Sequence, residues 1–141
     1  MIAVTMNRIL AIDYGRKRTG LAATDPLGMI ARPLPALHGT PDEALPKIAE
    51  LCVDRQTEHI LLGLPMNMDG SEGPMALETR AWGARLGEVT GLAVEMADER
   101  LTSHSAKQHL RGMKKKHRRR DTGLIDSLAA VEILRDWMSA R

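Results

Sequence analysis

Three carboxylates stand where chemistry could be done: Asp13 directly after the apolar run Ile9-Leu10-Ala11-Ile12, Asp98 or Glu99 directly after the run from Leu92 to Ala97, and Asp126 at the head of a helical stripe with Ala129, Ala130, Ile133 and Trp137. Grouped acids repel one another, so a hard divalent cation is their natural partner, and carboxylates without His or Cys suit Mg²⁺ or Mn²⁺. Two such ions about 4 Å apart can hold a phosphodiester, activate water on one side and stabilise the departing oxygen on the other. In that arrangement Asp13 bridges both ions and the other two acids each secure one. Each acid also has an ordinary use. Asp13 could cap a turn, Asp98 or Glu99 could pair with Arg100 on the surface, and an Asp in the first turn of a helix is favoured by the helix dipole.

The elements that must position these acids are legible in the pattern. Ile9 to Ile12 is apolar at every position, as in a central strand buried on both faces. Gly15 and Gly20 bracket the basic turn Arg16-Lys17-Arg18, and Thr19 to Thr24 returns as the second arm of an antiparallel hairpin. Met29 to Leu37 reads as a third strand, confined to an edge by Pro33 and Pro35. Thr40-Pro41-Asp42-Glu43 carries a capping box with Pro at the first helical position, followed by the apolar face Ala44, Leu45, Ile48, Leu51 and Cys52. Pro46 removes a backbone donor, which argues that the regular helix begins closer to it. His59 to Leu64 is a fully apolar strand reached through that helix, hence a parallel neighbour of the first strand by right-handed crossover.

The turn-rich loop from Pro65 to Pro74 leads into a helix with the stripe Met75, Trp82, Leu86 and Val89, and backbone donors near its start could meet a phosphate. Alternation along Leu92 to Ala97 puts Asp98 on the Leu92/Val94/Met96 face, but parity fails beyond a strand end and does not choose between Asp98 and Glu99. Thr102 or Ser103 can cap a helix with Ala106, Leu110 and Met113 on its apolar side, and Asp121 or Thr122 can cap the last helix.

A chain of 141 residues, 43% hydrophobic and 27% charged, is expected to form one α/β domain spanning 1–141. The single Cys52 makes no internal disulfide and no Cys/His cluster has zinc spacing, so a reducing cytoplasm is expected. No signal peptide or membrane-length apolar run is visible. Tyr14, Trp82 and Trp137 are the only aromatic residues, too few for rows of stacked bases, so nucleic acid would be held mainly through its phosphates. Lys114, Lys115, Lys116, Arg118, Arg119 and Arg120 carry more positive charge than the chain's whole net of +2. Such local basicity is the footprint of a polyanion partner, which Lys107, Arg111 and His117 can extend. Candidate substrate contacts are therefore these six cations, the turn cations Arg16, Lys17 and Arg18, Asn67 in the loop, and Arg100 and Thr102 after the last strand.

Four stretches, Asp13 to Ala22, Gly63 to Ser71, Asp98 to Ser103 and Asp126 to Leu134, resemble in order the motifs of the YqgF/RuvX family. The resemblance implies a ribonuclease H-like fold, with a five-stranded mixed sheet in the order three-two-one-four-five and helices on both faces. It further implies a divalent-metal nuclease using Mg²⁺ or Mn²⁺, with Asp13, Glu99 and Asp126 as its acids; the resemblance, not alternation, selects Glu99. The family is described both as Holliday junction resolvases and as nucleases processing the end of pre-16S rRNA, and a two-fold junction would suit a homodimer. Relative to the related resolvase RuvC, Gly123 stands where a second Asp of the final helix would be, and the strand ending Gly63-Leu64-Pro65 carries no acid at its tip. Two other classes are compatible with parts of the pattern. Asp-x-Gly followed by a basic hairpin also resembles the phosphate-binding start of actin-like ATPases, which need two such domains. A non-catalytic nucleic-acid-binding module of the same fold would bind without depending on metal.

Overall fold

The computed structural model describes residues 8–99 and 122–140. The order is β1 (Ile9–Asp13), β2 (Arg18–Thr24), β3 (Ala31–His38), α1 (Pro41–Arg55), β4 (His59–Leu64), α2 (Pro74–Thr90), β5 (Val94–Asp98), α3 (Thr122–Ile125) and α4 (Leu128–Ser139). The helix expected after Thr102 or Ser103, and the basic run from Lys114 to Arg120, lie outside the described residues.

The five strands form one mixed sheet in the order β3-β2-β1-β4-β5. β1 runs antiparallel to β2 and parallel to β4, β3 is antiparallel to β2 at one edge, and β5 is parallel to β4 at the other. This is the ribonuclease H-like arrangement. β1 from Ile9 to Ile12 and β4 from Ile60 to Leu64 are apolar because both faces are covered. Leu10, Ile12, Ile60 and Leu62 point to α1 and α2, packing with Ile48, Trp82 and Leu86. Ile9, Ala11 and Leu61 point to α4, packing with Ala130, Val131, Ile133 and Leu134. The alternation of adjacent residues between two cores is the pleat expressed as burial.

The capping box of α1 is present, with Thr40 Oγ1 accepting from the Glu43 N–H and Glu43 Oε1 accepting from the Thr40 N–H. Contrary to the sequence expectation, α1 begins at Pro41 and runs through Pro46. Pro46 sits on the exposed side, where water can serve the carbonyl that lost its partner. The buried face of α2 also differs from the expected stripe: it is Ala76, Thr79, Trp82, Gly83 and Leu86, while Val89 is half exposed. Counting only large apolar residues overlooked the small ones, which let α2 lie close against Leu62 and Met96. The expected single last helix is two, α3 and α4, with Asp126 and Ser127 in the turn between them.

The far end of α4 is fastened by Glu95, which accepts from Trp137 Nε1 at 3.0 Å and meets His59 Nε2 at 3.0 Å. No described helix is long and apolar enough to cross a membrane. Ile48 has no exposed surface and joins α1 to the sheet. Ile48→Ala is therefore expected to cost about 2–5 kcal/mol by lost transfer energy plus a cavity, read as a lowered urea midpoint with an unchanged slope.

Candidate active site

Asp13 ends β1 opposite Gly20 of β2, and the β1–β4 register, with Ile12 beside Leu62, brings Gly63 alongside it on the other flank. Alternation points Asp13, Gly20 and Gly63 to the α4 face. Gly20 cannot carry a side chain without moving backbone, and a side chain at Gly63 would have to displace the ends of two side chains. A Cβ on Gly20 would stand 2.6 Å from the Asp126 carbonyl oxygen, and 3.4 Å from both Asp13 Cβ and Ser127 Cα. A Cβ on Gly63 would stand 2.8 Å from Glu99 Oε1 and 2.6 Å from Ile133 Cδ1. The Asp126–Ser127 backbone thus lands on the sheet on one side of Asp13, and the Glu99 carboxylate on the other. Asp98 instead pairs with Leu64 as the last residue of β5, alternating onto the face of Met96. Of the two acids, it is Glu99 whose carboxylate lies over the acid-free tip of β4, on the face to which Asp13 alternates.

Asp126 is held in place by its neighbour. The β2–β3 ladder slips between Thr19, opposite Leu37, and Leu21, opposite Leu34, in the stretch where Pro35 supplies no N–H. Ser127 Oγ fills the gap: it accepts from the Leu21 N–H at 3.0 Å and donates to the Leu34 carbonyl at 2.5 Å, with no surface exposed. The α3–α4 turn is therefore anchored in the bulge, and Asp126 follows, only 7% exposed. Arg18 Nη1 lies 3.5 Å from Asp126 Oδ2, a long ion pair between a half-exposed guanidinium and a buried carboxylate.

The other turn cations differ in state. Arg16 makes a two-pronged contact with Glu78 of α2, Nε to Oε2 at 3.1 Å and Nη2 to Oε1 at 2.8 Å, and Tyr14 donates to Glu78 Oε2 at 2.5 Å. Arg16 and, secondarily, the Tyr14 hydroxyl hold the Glu78 carboxyl down at about 2. Burial, and then the Glu78 hydrogen bond, push the Tyr14 hydroxyl up to about 12. Arg16 thereby clamps the β1–β2 turn to α2, while Lys17 is exposed. Asn67 closes its own loop, its Nδ2 donating to Ser71 Oγ at 3.0 Å and its N–H to the Ser71 carbonyl at 2.9 Å. Arg100, Thr102, Lys114, Lys115, Lys116, Arg118, Arg119 and Arg120 lie outside the described residues.

Sequence reasoning did not single out Gly63, Glu78 or Ser127, and read Gly20 only as a turn bracket. A lone glycine inside an apolar strand is a signal of close approach; nothing in the sequence marks Ser127 or Glu78, whose partners are distant in the chain. The donor types at this end of the sheet, three carboxylates, fit a hard divalent cation. Among the described residues no three acidic, His or Cys side chains are already closed around an ion position.

Two outcomes are expected from this geometry. Ser127→Ala leaves the buried Leu21 N–H and the part-buried Leu34 carbonyl without their partner, at a cost of about 1–3 kcal/mol in denaturant unfolding. Because Glu78 has a folded-state value of about 2 against an ordinary 4.5, its clamp contributes fully above that ordinary value and is lost as pH falls from there toward 2. Glu78→Gln should flatten that part of the stability-versus-pH curve; an unchanged acid limb would show the clamp to be energetically idle.

The family model described as RuvX, Holliday junction resolvase, matches residues 7–140. Curated relatives include a protein of Picosynechococcus sp., 41% identical with 94% of this chain and 92% of the relative covered, and one of Syntrophomonas wolfei, 41% identical with 93% of each covered. Both are named "Putative pre-16S rRNA nuclease". Among solved structures, Thermus thermophilus RuvC superposes with a TM-score of 0.57 at 14% identity, covering 94% of this chain and 95% of RuvC. The same protein in complex with a Holliday junction substrate gives 0.56, covering 94% of each chain. With a match over nearly its whole length, the chain belongs to the RuvX family.

Proposed function

We propose that this protein is a divalent-metal-dependent endonuclease in which Asp13, Glu99 and Asp126 hold the metal. The observation that carries this reading is the bare sheet surface on both flanks of Asp13, over which one acid just after β5 and one from the α3–α4 turn are brought to the same strand ends. Such sites form at the carboxyl ends of parallel strands. Mg²⁺ or Mn²⁺ there supplies positive charge for the scissile phosphate and acidifies the attacking water. Asp13 is central, with Asp126 and Glu99 to either side. Arg18 offsets the charge of buried Asp126 and, being half exposed, is free to turn to a phosphate. Lys17 faces solvent beside it, and Arg16 keeps the turn in place. The basic run from Lys114 to Arg120 supplies the sequence-independent grip on nucleic acid.

The end of precursor 16S rRNA is the preferred substrate. Relatives about 41% identical along the chain bear that name, whereas RuvC at 14% identity shares the fold alone. Junction resolution would in addition require two sites related by a two-fold axis, and so a homodimer.

The decisive measurement incubates the protein, with Mg²⁺ or Mn²⁺, with RNA spanning a precursor 16S end and with a four-way DNA junction. Trimming of the RNA alone is expected, and paired symmetric nicks in the junction alone would replace this substrate by the junction. Asp13→Asn should abolish cleavage and leave binding within about twofold, since the phosphate grip lies elsewhere. Cleavage that survives this substitution sinks the metal assignment; binding of both substrates without cleavage of either makes the protein a nucleic-acid-binding module.

A further inference from the structure

Beside the carboxylates, on the other face of the sheet, lies a cleft of about 320 Å³ between α1 and α2, walled by Tyr14, Pro41, Asp42, Glu78, Trp82 and Arg85. It opens one residue along the chain from Asp13. Two of the three aromatic residues meet in its wall, with ring centroids 5.2 Å apart at an interplanar angle of 58°. Neither ring is free to swing: the Tyr14 hydroxyl donates to Glu78 at 2.5 Å, and Trp82 Nε1 donates to the Pro41 carbonyl at 3.0 Å. Tyr14 keeps a minor part of its surface exposed while Trp82 is buried, so the tyrosine offers a small flat surface held in one place.

The charges around the cleft cancel in pairs. Arg85 meets Asp42 at 2.6 Å and Arg16 meets Glu78 at 2.8 Å. A charge-balanced cleft exerts no net pull on a phosphate. It does offer carboxylate acceptors and guanidinium donors at the rim of a flat aromatic wall, which suits an uncharged, planar, hydrogen-bonding heterocycle.

We propose that this cleft receives one unpaired nucleobase of the substrate strand, from the nucleotide next to the phosphate held at Asp13. The proposal rests on the nuclease reading of the Asp13 site. A strand crossing the carboxyl end of the sheet from the α4 face to the α2 face passes the acids first and Tyr14 next. Scarcity of aromatic residues excludes a row of stacked bases; one rigid tyrosine is enough for one base. The chemistry is common to DNA and RNA, and it requires the base to be out of a duplex.

The test uses Asp13→Asn protein, so that binding is measured without cleavage, and a set of single-stranded oligonucleotides in which an abasic nucleotide is moved one position at a time. One position, adjacent to the bond that the unaltered protein cuts, should weaken binding by about tenfold. Adding Tyr14→Leu should erase that penalty and Tyr14→Phe should keep it, with thermal unfolding confirming that each variant is folded. Asp42→Asn, on the exposed rim, gives a second handle: it should change the preference among the four bases at that position and at no other. Equal penalties at every position, or a penalty that Tyr14→Leu leaves intact, would overturn the proposal. A Tyr14-dependent penalty in a protein that cuts nothing would overturn the nuclease reading and leave the base site standing.

Discussion

The organisation of this protein depends on two missing side chains. Asp13 is flanked in the sheet by Gly20 and Gly63, and in those two places polypeptide from elsewhere comes closer than any Cβ would permit. Close packing makes such space specific: at Gly20 it is filled by backbone that leaves room for hydrogen alone, and at Gly63 by the ends of the Glu99 and Ile133 side chains. On the β2 side the occupant is the backbone of the α3–α4 turn, and on the β4 side it is the Glu99 side chain. Acids from three separate parts of the chain are therefore positioned by steric subtraction rather than by attraction, which their mutual repulsion would oppose.

The remaining constraints act on the same turn and hairpin. The prolines that keep β3 at the sheet edge accompany the register slip, and the slip leaves one donor and one acceptor for which the Ser127 hydroxyl is matched. Glu95 fastens the opposite end of α4 through Trp137, so the helix is fixed at both ends and Asp126 cannot drift along the sheet. On the other face, the Arg16–Glu78–Tyr14 clamp sets the angle at which the chain leaves β1. The three consecutive basic residues of the turn thus have three different electrostatic situations: one is locked, one is in solvent and one faces an acid.

The fold was largely legible because its signals are local. Apolar runs identified β1 and β4, the paired prolines identified an edge, and the Thr40–Glu43 capping box marked the start of α1. What misled was also local. Pro46 is tolerated because its helix face is wet, and the α2 stripe was drawn through Val89 because small residues carry no weight in a hydrophobic count. The position of Asp13 at a strand end was readable, whereas the choice of Glu99 over Asp98 came from family resemblance alone, since alternation says nothing past the last ladder pair. The role of Gly63, and the break in the final helix at Asp126–Ser127, depend on contacts with residues far away in the sequence, and no window along the chain contains them.

The Ser127 hydroxyl reaches across 106 residues to Leu21 and 93 to Leu34. Loop-closure entropy makes contacts so distant in sequence slow to form, and a ribosome delivers Asp13 long before Asp126. The first four strands can pair while the chain is still emerging, but the turn that carries Asp126 does not yet exist. During synthesis, then, a partly made molecule has the sheet without Asp126, and the proposed active site is complete only when the last helix docks.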